Sequence, residues 1–246
     1  MQFLKWKAYF QANTTHFDHI NWDLLQNLSP TEKQLITASI RQFQRGEHSE
    51  GKHFLQFAKS MSDESYIDAV KIFIREEQDH ALVLGQYMDG VGISRIKNDG
   101  LDNIFRRLRK MAGLEGTITV LLTAEIISMI YYQSLQKATS SAVLQEICKQ
   151  ILVDEKMHLR FQSYALRLLY RRKNRLSLLM SQSIHTVLML GTIGMVWLFH
   201  RRVLLAGGYS CYTFSRDVWK MFRHCQQMIA GKAAVHPRLT TINHAA

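Results

Sequence analysis

An internal repeat restricts the fold of this sequence more than any other feature. One offset of 78 residues carries Glu47 onto Glu125, Ser62 onto Ser140, Glu77 onto Glu155 and His80 onto His158. In each copy the serine stands midway between two glutamates that are 30 residues apart. If each serine marks a turn between two helices, both glutamates of a copy lie at the same height of an antiparallel hairpin, roughly 22 Å from the turn. The repeat therefore predicts two similar helical hairpins.

Sparse proline and the spacing of apolar residues predict an all-α protein. The two prolines are Pro30 and Pro237, and apolar residues recur at helical spacing rather than in strand-like alternation. Capping residues and glycines divide the chain into helices, with Ser29 and Ser62 as the expected caps of the first two. The predicted helices cover residues 30–59, 62–90, a short basic stretch at 104–110, 113–138, 139–173 and 209–229.

The chain divides into three predicted parts: an N-terminal segment (1–28), a four-helix bundle (29–172) and a helical C-terminal extension (173–246). Hydrophobic residues make up 47% of the sequence, which excludes an intrinsically disordered chain and supplies a sizeable core. The charge is uneven, because the 91 residues from Lys156 onward contain 14 Lys and Arg but a single acid, Asp217. Such a basic half favours an anionic partner: lipid, nucleic acid or an acidic protein.

The cysteines and the N-terminal residues indicate the cellular compartment in which the protein is expected. Cys148, Cys211 and Cys225 form no CxxC pair and no disulfide framework, and the first residues lack the apolar run of a signal peptide. We expect a cytoplasmic protein, with membrane association left open by residues 176–200. This stretch has no Asp, Glu, Lys or Arg, but its apolar centre is short for a spanning helix. We favour a helix packed on the bundle or lying at a membrane interface.

The paired positions of the repeat carry metal-binding chemistry. Each Glu-x-x-His pair places its two side chains one helical turn apart on the same face. Packing the hairpins face to face brings both pairs to the level of the lone glutamate of each hairpin. Four buried carboxylates need two cations to offset their charge, and mixed oxygen and nitrogen ligands suit iron, manganese or a mixed Fe/Mn pair better than structural zinc. The candidate metal ligands are Glu47, Glu77, His80, Glu125, Glu155 and His158.

This pattern resembles the ferritin-like di-iron carboxylate proteins, in which two helices each provide a Glu and two others each provide Glu-x-x-His. The resemblance covers about residues 30–172. It implies a ferritin-like four-helix bundle of two hairpins, in which Glu77 and Glu155 bridge the metal ions. It also implies that the preceding acids, Glu76 and Asp154, hydrogen-bond the ligand histidine of the opposite motif and orient it.

One ligand position has an alternative. Glu50 lies one helical turn after Glu47 on the same predicted face, so it can replace Glu47 or add a seventh ligand, as in rubrerythrin-like relatives. Polar neighbours make Glu47 the weakest of the six assignments, whereas Glu125 is the only charged residue in 118–132. A third Glu-x-x-His pair, Glu50 with His53, has no counterpart 78 residues later, and we interpret it as coincidental.

The leading hypothesis is a non-haem di-iron oxidase or oxygenase that activates O2 and oxidises an organic, hydrophobic substrate. Its implied partners are O2, an external electron donor and that substrate. A membrane surface against the basic C-terminal part and a homodimer stay open, and nucleic acid is less favoured. One alternative is a ferroxidase or rubrerythrin-like peroxidase, against which the absence of a CxxC pair counts. The other is a non-enzymatic basic helical adaptor that binds lipid or nucleic acid.

Overall fold

The structure, a computed structural model, describes residues 2–48, 51–96 and 113–235, and these are all-helical. The all-α prediction is confirmed. The predicted basic helix at 104–110 and the candidate ligand Glu50 lie outside the described residues. The helices are α1 (Gln2–Ala12), α2 (Pro30–Glu47), α3 (Lys52–Ala58), α4 (Glu64–Gly90), α5 (Gly113–Ala138), α6 (Ala142–Tyr170), α7 (Arg175–Ala206) and α8 (Cys211–Ile229).

The first predicted helix is interrupted. The chain leaves the helix after Glu47 and starts a new one at Lys52, with Gly51 as its N-cap at φ +63°. Glycine adopts this left-handed conformation without strain, and a Cβ at position 51 would lie 2.5 Å from Cγ2 of Ile74. The prediction of one continuous helix over 30–59 is therefore wrong, because Gly51 turns the chain and allows it to pass close to α4.

The caps of the first hairpin follow the prediction only in part. Ser29 accepts a hydrogen bond from the backbone N–H of Glu32 at 3.2 Å, as a serine cap before Pro30 should. Ser62 does not cap α4, because it adopts a left-handed conformation with φ 52°. Asp63 is the cap instead, and its carboxylate accepts from the N–H of Tyr66 at 3.0 Å.

The central element of the fold is α5. It pairs with α6 through a connection of three residues, and it also contacts α3, α7 and α8. A helix surrounded in this way is apolar on every side, which explains the long charge-free stretch of α5. The remaining contacts centre on α4. It packs on α2 and α6, and α1 covers it with the buried side chains of Trp6 and Phe10.

Among the described residues, two helices are long and apolar enough to cross a membrane by length and composition alone: α5 and α7. Their burial differs strongly. In α5, 72% of the most apolar window is buried inside the protein, whereas in α7 the buried share is 17%. The composition of α5 is therefore explained by the core of the bundle, and that of α7 is not.

Candidate metal centre

Four helices place the six candidate ligands in the interior. Two helices contribute a single glutamate and two contribute a Glu-x-x-His pair: Glu47 from α2, Glu77 and His80 from α4, Glu125 from α5, and Glu155 and His158 from α6. All six are at most 9% exposed, and Glu155 and both histidines are fully buried. Burying these ionisable groups together is unfavourable unless their charges are balanced.

The ligand atoms of these residues form two overlapping groups. Each group contains four side chains whose ligand atoms all lie within 4.8 Å of one another. The first group is Glu47, Glu77, His80 and Glu155, and the second is Glu77, Glu125, Glu155 and His158. Because Glu77 and Glu155 belong to both groups, two cations bound here would share them as bridging ligands.

Several buried polar atoms of the groups have no hydrogen-bond partner among the described residues. They are both carboxylate oxygens of Glu155, Oε1 of Glu77, and Nδ1 of His80 and His158. The atoms are close together without the alignment of a hydrogen bond: Nδ1 of His158 lies 2.9 Å from Oε1 of Glu77 and 3.5 Å from Oε2 of Glu155. Each unsatisfied buried polar atom costs about 1–3 kcal/mol. Cations between these atoms would satisfy them, so the donor set fits a pair of metal ions.

Burial and like charges alter the pKa values of the glutamates. Desolvation, together with the charge of Glu77, raises the pKa of Glu47 well above its usual value. Desolvation and the neighbouring Glu125 have the same effect on the pKa of Glu155. Burial also acts to raise the pKa of Glu125, but close contacts with Glu155 and with the positively charged ring of His158 hold it below its usual value. The metal-free cluster therefore retains protons that cations must displace, which makes metal binding pH-dependent.

A second layer of acids lies behind the two histidines. Nε2 of His80 lies 3.1 Å from Oδ2 of Asp154, and Nε2 of His158 lies 2.9 Å from Oε2 of Glu76. Each acid comes from the helix opposite the histidine that it contacts. With Nε2–H donating to a carboxylate, Nδ1 of each ring is left facing the cluster, which is the arrangement that orients histidine as a metal ligand.

Sequence reasoning missed two residues of the N-terminal segment. The side-chain amide of Asn13 donates to Oε1 of Glu76 at 2.8 Å and to Oδ1 of Asp154 at 2.9 Å. Nδ1 of His16 lies 2.8 Å from Oδ2 of Asp154. Both residues follow α1, which places them beside the cluster by packing on α4. No spacing relates them to the repeat, so the sequence carries no signal for this role.

Asp154 is the most heavily hydrogen-bonded acid of this layer. It bonds to Asn13, His16, His80 and Gln150. Burial acts to raise its pKa, but the bonds from His16 and His80 hold it below the usual range. Burial acts to lower the pKa of His16, but its bond to Asp154 raises that pKa to about 9. His16, His80 and Asp154 also have metal-ligand spacing. Because both rings already bond Oδ2 of Asp154, a hydrogen-bond network describes them better.

Tyr132 provides the polar contact of Glu47. Its hydroxyl donates to Oε1 of Glu47 at 2.6 Å, and its ring lies 5.2 Å from that of Tyr131. The hydroxyl of Ser39 donates to Tyr131 at 3.1 Å and lies 2.8 Å from Nδ1 of His200 in α7. Glu47 is thus anchored in the interior, although its polar sequence neighbours made it the weakest assignment.

The third Glu-x-x-His pair is only partly placed. His53 lies on α3 and is exposed. Glu50 lies outside the described residues, so only Glu47 of the two alternatives is seen in the cluster.

No protein-family model matches this chain, and the curated proteins and the solved structures contain no significant match. Any functional assignment therefore rests on the geometry of the cluster.

Proposed function

We propose that this protein is a non-haem di-iron oxidase or oxygenase built on a ferritin-like four-helix bundle. The observation that carries the proposal is the pair of overlapping ligand groups that share Glu77 and Glu155. Two lone glutamates and two Glu-x-x-His pairs on four helices are the ligand set of the ferritin-like di-iron carboxylate proteins. Carboxylate and imidazole ligands together suit iron, so two iron ions are the proposed cofactor.

The residues of the chain would bind and orient the metals in a buried interior. Glu77 and Glu155 would hold both ions, and His80 and His158 would bind through Nδ1, while the acids behind them hold the rings. Bound ferrous iron would supply the electrons that reduce O2 and the oxidising power directed at a substrate. Because the cluster is buried, bulk water is kept from the reacting groups.

Apolar surroundings favour an apolar organic substrate. The rings of Phe73 and Phe10 lie 4.6 and 6.1 Å from the ring of His158. Glu125 belongs to a helix whose neighbouring residues are mostly apolar and buried. Such walls retain a hydrophobic molecule and offer few polar groups that compete with the metals for it. We therefore propose a small hydrophobic substrate, O2 as the co-substrate and an external electron donor.

Metal content and oxygen consumption test the proposal directly. The purified protein would be loaded anaerobically with Fe(II), and the bound iron and the O2 consumed on mixing would be measured. We expect two irons per chain and consumption of O2. Glu155→Ala should lose both irons because Glu155 belongs to both ligand groups, whereas His158→Ala should weaken one metal more than the other.

Glu146→Ala is the matched control, because Glu146 lies on the same helix with its side chain 47% exposed. It should bind iron as the wild type does. Two irons in a folded Glu155→Ala variant would contradict the ligand assignment. The same reaction repeated with small hydrophobic compounds separates the two enzyme classes, because iron oxidation without any organic product would favour a ferroxidase. If the protein binds no metal after anaerobic loading, the non-enzymatic basic helical adaptor is the remaining hypothesis.

A further inference from the structure

The outward face of α7 is apolar over most of its length. Six large apolar side chains are between 55% and 71% exposed: Leu176, Met180, Ile184, Val187, Leu190 and Leu198. They follow one another at three or four residues, with a single longer step across the exposed Gly191 and Gly194, so they share one side of the helix. These six residues, the α7 stripe, extend for roughly 33 Å at the helical rise per residue.

The inner face of α7 holds its buried polar side chains. His185, Thr192 and His200 are at most 3% exposed. Nδ1 of His185 accepts from Gln226 at 3.0 Å, and Nδ1 of His200 lies 2.8 Å from the hydroxyl of Ser39. Through this face α7 packs on α5, α2 and α8. A surface helix in water has a polar outer face, so the outer face of α7 is suited to an apolar environment outside the protein.

Arginines stand at both ends of the α7 stripe. Arg171, Arg172 and Arg175 precede it, Arg201 and Arg202 follow it, and all five are exposed. The helix itself contains no Asp or Glu. Long arginine side chains can place their charge at the level of lipid phosphates while the apolar residues between them enter the layer below. The α7 stripe and its ends therefore match both chemical layers of a phospholipid surface.

We propose that the α7 stripe docks on a bilayer that contains anionic phospholipids, with α7 parallel to the membrane plane. The apolar side chains enter the boundary between headgroups and acyl chains, and the flanking arginines bind phosphates. α7 does not cross the bilayer in this arrangement, because its inner face remains packed on α5 with its histidines buried.

Charge makes a second copy of the chain a poorer occupant of the α7 stripe. In an antiparallel dimer, residues 171–175 of one chain meet residues 201–202 of the other, and in a parallel dimer each cluster meets itself. Both arrangements place arginine against arginine, and α7 has no acidic residue to offset the repulsion. Anionic lipid phosphates offset the same charges.

Vesicle flotation of the purified chain tests the docking surface. We expect binding to phosphatidylcholine vesicles that contain phosphatidylserine, and weaker binding as the salt concentration rises. The Arg201→Gln/Arg202→Gln variant should lower the partition coefficient about thirtyfold, which corresponds to roughly 1 kcal/mol for each arginine at an anionic surface. The Val187→Gln/Leu190→Gln variant should lower it at least about tenfold, because two apolar side chains no longer leave water.

The matched control is Leu82→Gln/Val153→Gln, which replaces apolar residues that are 58% and 46% exposed on α4 and α6. It should bind vesicles as the wild type does. The proposal is overturned if the wild type does not bind anionic vesicles, or if the control loses as much binding as Val187→Gln/Leu190→Gln. Sedimentation without lipid adds a third test. If the wild type is a dimer and the Val187→Gln/Leu190→Gln variant is a monomer, the α7 stripe is a self-association surface and the lipid proposal is wrong. None of the candidate metal ligands lies on α7, so these results are independent of the proposed function.

Discussion

At the scale of single residues, Asn13 connects the two halves of the repeat. Its amide donates one hydrogen bond to Glu76 and one to Asp154, and these acids are themselves 78 residues apart. Each acid then orients the histidine of the opposite Glu-x-x-His pair. A role of this kind requires two N–H donors on one short side chain, which an asparagine amide provides.

Replacing Asn13 tests that connection. Asn13→Leu nearly keeps the size of the side chain and removes both donors. We expect Fe(II) to bind about 10- to 100-fold more weakly, because the acids hold the histidine rings less firmly, as measured by competition with a coloured chelator. The free energy of unfolding should fall by about 1–3 kcal/mol. Thr14→Ala, which removes an exposed hydroxyl, is the control. Unchanged Fe(II) affinity in Asn13→Leu would contradict the orienting role.

His185 makes part of the stability depend on pH. Burial lowers its pKa from 6.5 to about 4, so between these values the unfolded chain binds a proton more readily than the folded one. Its stabilising contribution is complete above pH 6.5 and is lost as the pH falls through 4. We expect about 2 kcal/mol to be lost between roughly pH 7 and pH 5.

Urea unfolding of the wild type and His185→Gln at both pH values measures this contribution, because the variant lacks the titrating ring. The difference in free energy between the two proteins should change with pH by the expected amount. His53→Gln, at an exposed histidine on α3, should follow the wild type. A difference that stays constant with pH would show that His185 does not titrate in this way.

At the scale of whole elements, α5 and α7 show how far composition can be interpreted. Both helices pass the same test of length and apolar content. Contacts with α3, α6, α7 and α8 surround α5, whereas α7 has a face that the described residues leave exposed. Their apolar composition indicates that both helices are unfavourable in water. The tertiary structure shows that other helices cover α5, whereas one face of α7 is not covered by the described residues.

Two glycines near the end of α2 should respond to alanine in opposite directions. Gly51→Ala should lower the free energy of unfolding by about 1–2 kcal/mol, because φ is +63° there and the new Cβ would meet Ile74. Gly46 lies inside α2, and a Cβ there has nothing within 4 Å. Gly46→Ala should therefore raise the free energy of unfolding by up to about 1 kcal/mol. Thermal unfolding of both variants distinguishes the two, and equal shifts would contradict the helix break at Gly51.

At the scale of the whole molecule, the buried carboxylates oppose folding until cations bind, while the rest of the core does not depend on them. The core extends over all the described helices, so the metal-free chain should keep its helical circular dichroism. Fe(II) should raise the melting temperature of the wild type, because a ligand that binds only the folded state stabilises it by about 2.7 kcal/mol at a hundred times its Kd.

Glu155→Gln separates the two contributions. Without metal, the variant should be about 1 kcal/mol more stable than the wild type at neutral pH, because a neutral amide replaces a buried carboxyl group crowded by Glu125. With Fe(II), its melting temperature should not rise. Calorimetry with and without a chelator gives both quantities, and an Fe(II)-dependent rise in Glu155→Gln would contradict the role of Glu155 in both ligand groups.

Much of this arrangement could be inferred from the order of the amino acids, because helices are built locally. A constant rise per residue converts a spacing of 30 residues into opposite positions of a hairpin, and this describes Glu125 and Glu155 on the continuous helices α5 and α6. Glu47 and Glu77 also lie together, although the break at Gly51 interrupts the first helix between them. Their assignment as metal ligands stays a prediction. Asn13 beside the second layer of acids, the break at Gly51 and the exposed face of α7 emerged only in the packed fold. Each depends on contacts between segments far apart in the chain, and such contacts leave no periodic trace in the sequence.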